Sequence, residues 1–302
     1  MTTRKLIAFG SAAALALTLS ACGGDPTDDG GSSSSDTIVV GSAAFAENEI
    51  IAEIYIQALE AKDIKVEKKL NIGAREAYIP ALRSGEIDLI PEYSGNLLSY
   101  LDPDTKATSP EEIEDALDDA LPDTLETLDF SKAEDKDSLN VTAAFAQKHD
   151  LTTIADLADI DGLRLAANPE FAERPYGIPG LESLYGITGV KFTGISDGGG
   201  PATLKALLDG DVDVADIYST TPSITANKLV TLEDPKNLIA AQNVVPLIND
   251  KKASDKVEDV LDAISKALTT EDLLELNGRN QGDEKAAPAT LAKEWLKDKG
   301  LI

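Results

Sequence analysis

The chain has 302 residues, 54 Asp and Glu against 27 Lys and Arg, and a formal net charge of −27. Its one Cys and one His exclude an internal disulfide, a paired-cysteine zinc site and a multi-histidine metal site. Such acidity argues against a nucleic-acid partner, which needs a basic patch, while a 42% hydrophobic content suffices for a core and the length suits two domains or one bilobed one.

Arg4 and Lys5 precede an uncharged apolar run over residues 6–19. That run is short of the roughly 20 residues that a spanning helix needs, and it reads as a secretory signal. It ends in Leu19-Ser20-Ala21-Cys22, which resembles the bacterial lipobox. On that resemblance residues 1–21 are a signal peptide, and Cys22 becomes a lipid-bearing N-terminus. Residues 23–36 lack any large apolar side chain and read as a flexible tether of roughly 20 Å root-mean-square span. The expected location is the outer face of the cytoplasmic membrane, reached through the lipid anchor alone. No later stretch is apolar over a bilayer's width, so the chain is not expected to be a permease.

From residue 37 short apolar runs alternate with amphipathic ones. Residues 37–41 are β-branched and continuous, as in a parallel strand buried on both faces. A helix is predicted over 47–62, with Ile50, Ile51, Ile54, Ala58 and Leu59 at helical spacing. Then come a strand near 65–70, a helix near 75–84 and a strand near 87–91. An acidic, helix-rich stretch occupies 109–119. The alternation resumes with strands at 163–167, 191–195 and 212–218, and helices at 181–185 and 201–209. The tail, over 254–268, 271–276 and 289–299, is helical and is expected to cover one lobe. Two rounds of this alternation predict an α/β fold of two lobes, each a mostly parallel sheet flanked by helices, with a cleft between them.

Two motifs suggest chemistry. Gly194-Ile195-Ser196-Asp197-Gly198 fits the nucleophile elbow of α/β-hydrolases, which requires a His after the Ser. The only His, His149, precedes it and reads as a surface residue at a polar helix end. Gly198-Gly199-Gly200 before a predicted helix reads as a tight turn and is not a P-loop, because no Gly-Lys-Ser/Thr follows. Acidic pairs such as Glu111-Glu112 and Asp118-Asp119 are expected by chance in so acidic a chain. The residues therefore point to a binding protein rather than an enzyme, with no cofactor.

Several stretches carry a more specific likeness: Gly41-Ser42 with Phe45-Ala46-Glu47-Asn48, Gly85-Glu86-Ile87-Asp88-Leu89 and Pro91-Glu92-Tyr93-Ser94-Gly95. Further on stand Asn168-Pro169-Glu170-Phe171-Ala172-Glu173-Arg174-Pro175 and Ala215-Asp216-Ile217-Tyr218-Ser219-Thr220. Together they resemble the substrate-binding lipoproteins of ABC importers for osmoprotectants: glycine betaine, choline, carnitine and proline betaine. The likeness runs from about residue 37 to the last residue. It implies a type II periplasmic-binding-protein fold with two hinge crossovers, near 139–142 and 218–220. Lobe 1 is then 37–139 with 219–302, and lobe 2 is 140–218.

The resemblance also implies site residues. A quaternary ammonium donates no hydrogen bond and is best held by aromatic faces, while a ligand carboxylate suits the arginine fork. Tyr93 and Tyr218 match family cage tyrosines, Arg174 the carboxylate-binding arginine, and Asp137 an acidic residue beside the ligand. Ser42 and Phe45 stand at the entrance to the first helix, where the family also touches ligand. The chain departs from the pattern at Leu139 and Leu204, where some members carry aromatics, leaving Tyr78 and Tyr176 as candidate substitutes. The expected partners are a small cationic or zwitterionic solute and the transmembrane permease subunit, with the chain a monomer. Alternatives are the same fold binding another small polar solute such as an amino acid, an extracellular serine hydrolase using Ser196, or a surface lipoprotein without a small ligand.

Overall fold

The structure, a computed structural model, describes residues 37–302. The expected signal peptide, the Cys22 lipidation site and the tether lie outside the described residues. The first elements are β1 (Thr37–Gly41), α1 (Ala46–Glu60), β2 (Lys65–Lys69), α2 (Arg75–Ser84) and β3 (Leu89–Tyr93). They are followed by α3 (Ser94–Leu101), α4 (Pro110–Ala120) and β4 (Leu125–Thr127). The chain then builds β5 (Leu139–Thr142), α5 (Ala143–His149), β6 (Arg164–Ala167), α6 (Ile178–Tyr185) and β7 (Lys191–Gly194). After these come α7 (Pro201–Leu208), β8 (Val214–Asp216), α8 (Ser223–Ala226) and β9 (Leu229–Thr231). The last elements are β10 (Val244–Asn249), α9 (Asp255–Ala267), α10 (Thr270–Gln281) and α11 (Pro288–Asp298).

Two five-stranded sheets result, in the orders β2-β1-β3-β10-β4 and β7-β6-β8-β5-β9. They follow one plan. In the first, β1 runs parallel to β2 and β3, while β10 is antiparallel to β3 and β4. In the second, β6 runs parallel to β7 and β8, while β5 is antiparallel to β8 and β9. The first sheet is discontinuous, because β10 returns from the far side of the second sheet to enter between β3 and β4. Pro246 of β10 stands opposite Pro91 of β3, so two residues without an N–H share one position of the ladder.

The crossings differ from the expected ones. Residues 139–142 are a strand of the second sheet, and that sheet continues past 218 to β9, which pairs with β5 through Val141 and Val230. Leu232 is still buried in the second core. The chain passes between sheets over 128–138 and again over 232–243. These two segments run antiparallel and are tied together: Asp135 N–H donates to the Gln242 carbonyl at 3.2 Å, and Val244 N–H to the Ala133 carbonyl at 2.9 Å. The boundary expected at 218/219 therefore does not follow the sheets. Side-chain pattern at 218–220 gave no hint of it, because β9 is three residues long and only half-buried.

Helix α1 is buried almost all round, as a helix covered on both sides must be. Ile50, Ile54, Tyr55 and Leu59 share one core with β1 and β3 and with α9, α10 and α11. The helical tail thus covers the first lobe, as expected. Among the described residues no helix is long and apolar enough to cross a membrane. Ile54→Ala should destabilise the protein by about 2–5 kcal/mol, since the helix is clamped and cannot settle into the void. A lower urea midpoint at unchanged slope is the readout.

Candidate functional site

A cavity of about 280 Å³ lies where the two lobes face each other. Its walls come from the β1–α1 turn, α2, the end of β3, the first crossing, and the ends of β6, β7 and β8. Phe45 caps the start of α1 with extended backbone, φ −149° and ψ 156°. The turn beneath it is held by Asn48, whose side chain accepts from Ala43 N–H at 2.7 Å and donates to the Pro91 carbonyl at 2.9 Å. The Phe45 ring stands between Tyr93, with centroids 5.8 Å apart, and Tyr218, at 5.3 Å and nearly edge-on.

Each tyrosine hydroxyl in the wall is anchored, which fixes its ring. Tyr93 donates to Glu47 Oε1 at 2.8 Å. Tyr78 donates to Glu92 Oε1 at 2.8 Å. Tyr218 accepts from Asn168 Nδ2 at 2.8 Å, and Asn168 in turn accepts from Gly198 N–H. Burial raises all three phenol pKa values, and for Tyr93 the charge on Glu47 adds to it. These rings therefore present neutral faces at physiological pH.

The charges around the cavity are unevenly matched. Arg75 donates through Nε and Nη2 to the two oxygens of Glu92, both at 2.7 Å, in a fully buried fork. Burial opposes the Arg75 charge, but Glu92, with Tyr78 and Tyr176, more than offsets it. Arg174 donates to Tyr176 Oη at 2.8 Å and to both Glu76 oxygens at 3.2 Å, linking the second lobe to α2. Asp137 accepts from Asn96 at 2.7 Å, and Asn96 exchanges two hydrogen bonds with the Gln242 side chain on the other crossing. Asp135 accepts from Ser219 Oγ and Thr220 N–H. Burial pushes its carboxyl well above the ordinary range, and the neighbouring Glu47 adds to the shift.

Six of the eight residues expected from the sequence line this cavity: Phe45, Tyr78, Tyr93, Asp137, Arg174 and Tyr218. Two do not. Ser42 is buried behind the turn, where its hydroxyl accepts from Asn71 N–H at 2.8 Å. Tyr176 lies past Arg174 in an adjoining pocket of about 210 Å³. Leu139 and Leu204 are packed into the second lobe's cores, away from the cavity. Phe45 is the ring that closes the aromatic wall. Sequence reasoning missed Arg75, Asn96, Asp135 and Asn168, all of which line it. An acid in the otherwise apolar strand Leu89-Ile90-Pro91-Glu92-Tyr93 was the available signal that a buried cation had to be near.

The glycine triplet is the tight turn read from sequence. Gly198 and Gly199 adopt φ of 64° and 70°, and a Cβ on Gly199 would stand 2.8 Å from Ile217 Cα. Asp197 caps α7 through Gly200, Ala202 and Thr203 N–H, so the helix start already holds an anion. Ser196 lines the cavity, but His149 does not; it packs on Phe145 at the end of α5.

Residues 36–298 match the family described as OpuAC, the substrate binding domain of ABC-type glycine betaine transport system. The chain belongs to this family. It is 25% identical over 279 residues to the glycine betaine-binding protein YehZ of Escherichia coli strain K12, covering 87% of this chain and 90% of that protein. It is 24% identical over 282 residues to a glycine-betaine-binding protein of Pseudomonas aeruginosa, covering 88% and 89%. The fold is shared with a solved glycine betaine/carnitine/choline ABC transporter protein, at TM-score 0.67 and 22% identity over 87% of this chain and 99% of that one. It is also shared with a choline binding protein solved with choline, at TM-score 0.65 and 17% identity over 88% and 89%. The type II periplasmic-binding-protein fold expected from the sequence is therefore the fold of the chain. The family is one of solute-binding transport proteins that work outside the cytoplasm, not one of enzymes.

Replacing one member of the buried fork should expose its structural role. Glu92→Gln leaves Arg75 without a counter-charge and should cost about 3–5 kcal/mol in chemical denaturation. The double variant Arg75→Met with Glu92→Leu should lose less than Glu92→Gln alone, because no buried charge is then left unpaired.

Proposed function

We propose that the chain captures a quaternary-ammonium osmoprotectant (glycine betaine, choline, carnitine or proline betaine) in the inter-lobe cavity and delivers it to an ABC permease. The observation that carries this reading is one cavity that brings together aromatic faces, carboxylates and an arginine. Phe45, Tyr93 and Tyr218 converge there with Asp135 and Asp137, and Arg174 lines the same cavity. Aromatic faces attract a cation that cannot donate hydrogen bonds, each contributing about 0.5–2 kcal/mol. The cavity suits a small solute, being at the small end of the range for ligand pockets. The named relatives are glycine betaine and choline binders, which supports the same solute class here.

On this reading Tyr93, Tyr218 and Phe45 receive the ammonium, with Tyr78 and Asp137 beside them. Arg174 receives a ligand carboxylate, which competes with Glu76 for the same guanidinium, and Tyr176 orients it. Ser42 serves the turn that carries Phe45 rather than the ligand. The paired crossings are the hinge, and the lobes are 37–127 with 244–302, and 139–231. Cys22 carries a lipid that holds a monomer at the outer face of the membrane. The hydrolase reading lacks a histidine near Ser196, since the single His149 is not at the cavity.

Titration calorimetry with glycine betaine, choline, carnitine, proline betaine and an amino-acid panel tests the proposal. Binding of quaternary ammonium solutes is expected, and heat from amino acids alone would overturn it. Arg174→Ala should weaken zwitterions far more than choline, which has no carboxylate; equal losses would make Arg174 structural. Tyr218→Ala should weaken binding about 2- to 30-fold, the range of one cation–π contact. Tyr218→Phe should stay near wild type, since the hydroxyl faces Asn168 rather than the solute.

A further inference from the structure

Asp135 is buried at 6% exposure, yet it lines both the cavity and a second, polar chamber of about 290 Å³. The two spaces share Phe45, Asp135, Gly198 and Tyr218, so Asp135 stands at their junction. Glu47, at the start of α1, lines the second chamber and is within hydrogen-bonding reach of Asp135. Glu47 is well supplied with donors. Tyr93 donates to Oε1 at 2.8 Å, and Thr220 Oγ1 and Asn277 Nδ2 donate to Oε2, each at 2.6 Å. Burial raises the Glu47 carboxyl too, and these three donors pull it back toward the charged form. Thr220 joins the two acids, donating its N–H to Asp135 at 3.0 Å and its Oγ1 to Glu47 at 2.6 Å.

Asp135 faces no free cation among the described residues. Glu47 comes at it from α1, Tyr93 from β3, and Asp216 from β8. Also lining the cavity are Asp137, Glu170 and Tyr218, with Arg75 engaged by Glu92 and Arg174 by Glu76. Across the second chamber are Asp197 and Lys285, whose Nζ donates to the Gln281 carbonyl at 2.7 Å. On its own segment, Lys136 is exposed and pairs with Glu134 at 3.8 Å.

We propose that Asp135 is the specificity-determining anion of the cleft, and that a quaternary ammonium enters against it in exchange for its proton. This deepens the functional proposal above and rests on it. The exchange balances: one cation is bound and up to one proton leaves to solvent. The sign follows from linkage. Asp135 titrates above the ordinary carboxylate range in the empty cleft, because burial and Glu47 disfavour its charge. A bound cation favours that charge and lowers the value. Affinity for a cation therefore rises with pH between the two values, by up to about tenfold per pH unit, and levels off above the upper one. The empty protein behaves oppositely: a raised native value means stability present at low pH and lost as pH rises through it.

The experiment is calorimetry of the full mature chain with choline and with tetramethylammonium, which have no group titrating between pH 5 and 8. Runs in buffers of differing ionisation enthalpy count the protons released. Release that sets in as pH rises toward and above the ordinary carboxylate range is expected. Glu47→Gln removes the neighbouring charge and should move the release to lower pH. Asp135→Asn should abolish release and flatten the pH profile. Cation binding with no proton release anywhere in the window, or release undiminished in Asp135→Asn, would overturn the exchange while leaving the functional proposal standing. No binding of either cation, or of any betaine, would remove both.

Discussion

Glu92 has none of its surface exposed, and its charge has to be met where it stands. Taking a carboxylate out of water costs several kcal/mol unless partners replace the lost hydration. Four bonds do so here: two from Arg75, one from the Tyr78 hydroxyl and one from Tyr93 N–H. Those partners are the start of α2, its second turn and the end of β3. Satisfying one buried charge therefore fixes how α2 sits against the first sheet, and with it two of the aromatic walls. The fork also consumes Arg75, which would otherwise stand free at the cavity. The same interaction thus sets the cleft's shape and its electrostatic sign.

Much of the fold was legible because it rests on local patterns. The β-branched run of β1, the apolar spacing of α1 and the alternation through β8 all follow from periodicity. The crossings were not legible. Their position depends on β9 pairing with β5 and on β10 entering between β3 and β4, and long-range pairing leaves little trace in a strand of three residues. Pro246 further obscures β10, since a proline usually argues against a central strand. It is tolerated because it meets Pro91 across the ladder.

The site was legible where an aromatic or a motif marks it. Tyr93, Tyr218 and Arg174 sit in short specific strings, and all three reach the cavity. Ser42 belongs to such a string too, yet its hydroxyl serves the backbone at Asn71. Being near a site in sequence and being used by it are different things. Asp135 escaped notice for the opposite reason: in a chain with 54 acidic residues, one more aspartate two positions from Asp137 carries no signal. Only burial beside Glu47 distinguishes it.

That contrast also narrows what the overall charge of −27 means. Most of it lies on solvated helix faces such as α4, where Glu111, Glu114, Asp115, Asp118 and Asp119 are exposed or half-exposed. Charges there are screened within about 8 Å at physiological salt and do little to select a solute. The charges that can discriminate are few and buried. In the cleft both arginines already have carboxylate partners, and the Arg174 charge also reaches Asp137, whereas Asp135 is held only by uncharged donors. A pocket whose cations are matched, and in which Asp135 has no counter-cation, favours a guest bearing positive charge. The aromatic faces then favour spreading that charge over methyl groups rather than N–H bonds, because the rings accept no directed hydrogen bond of the strength that an ammonium leaves behind in water.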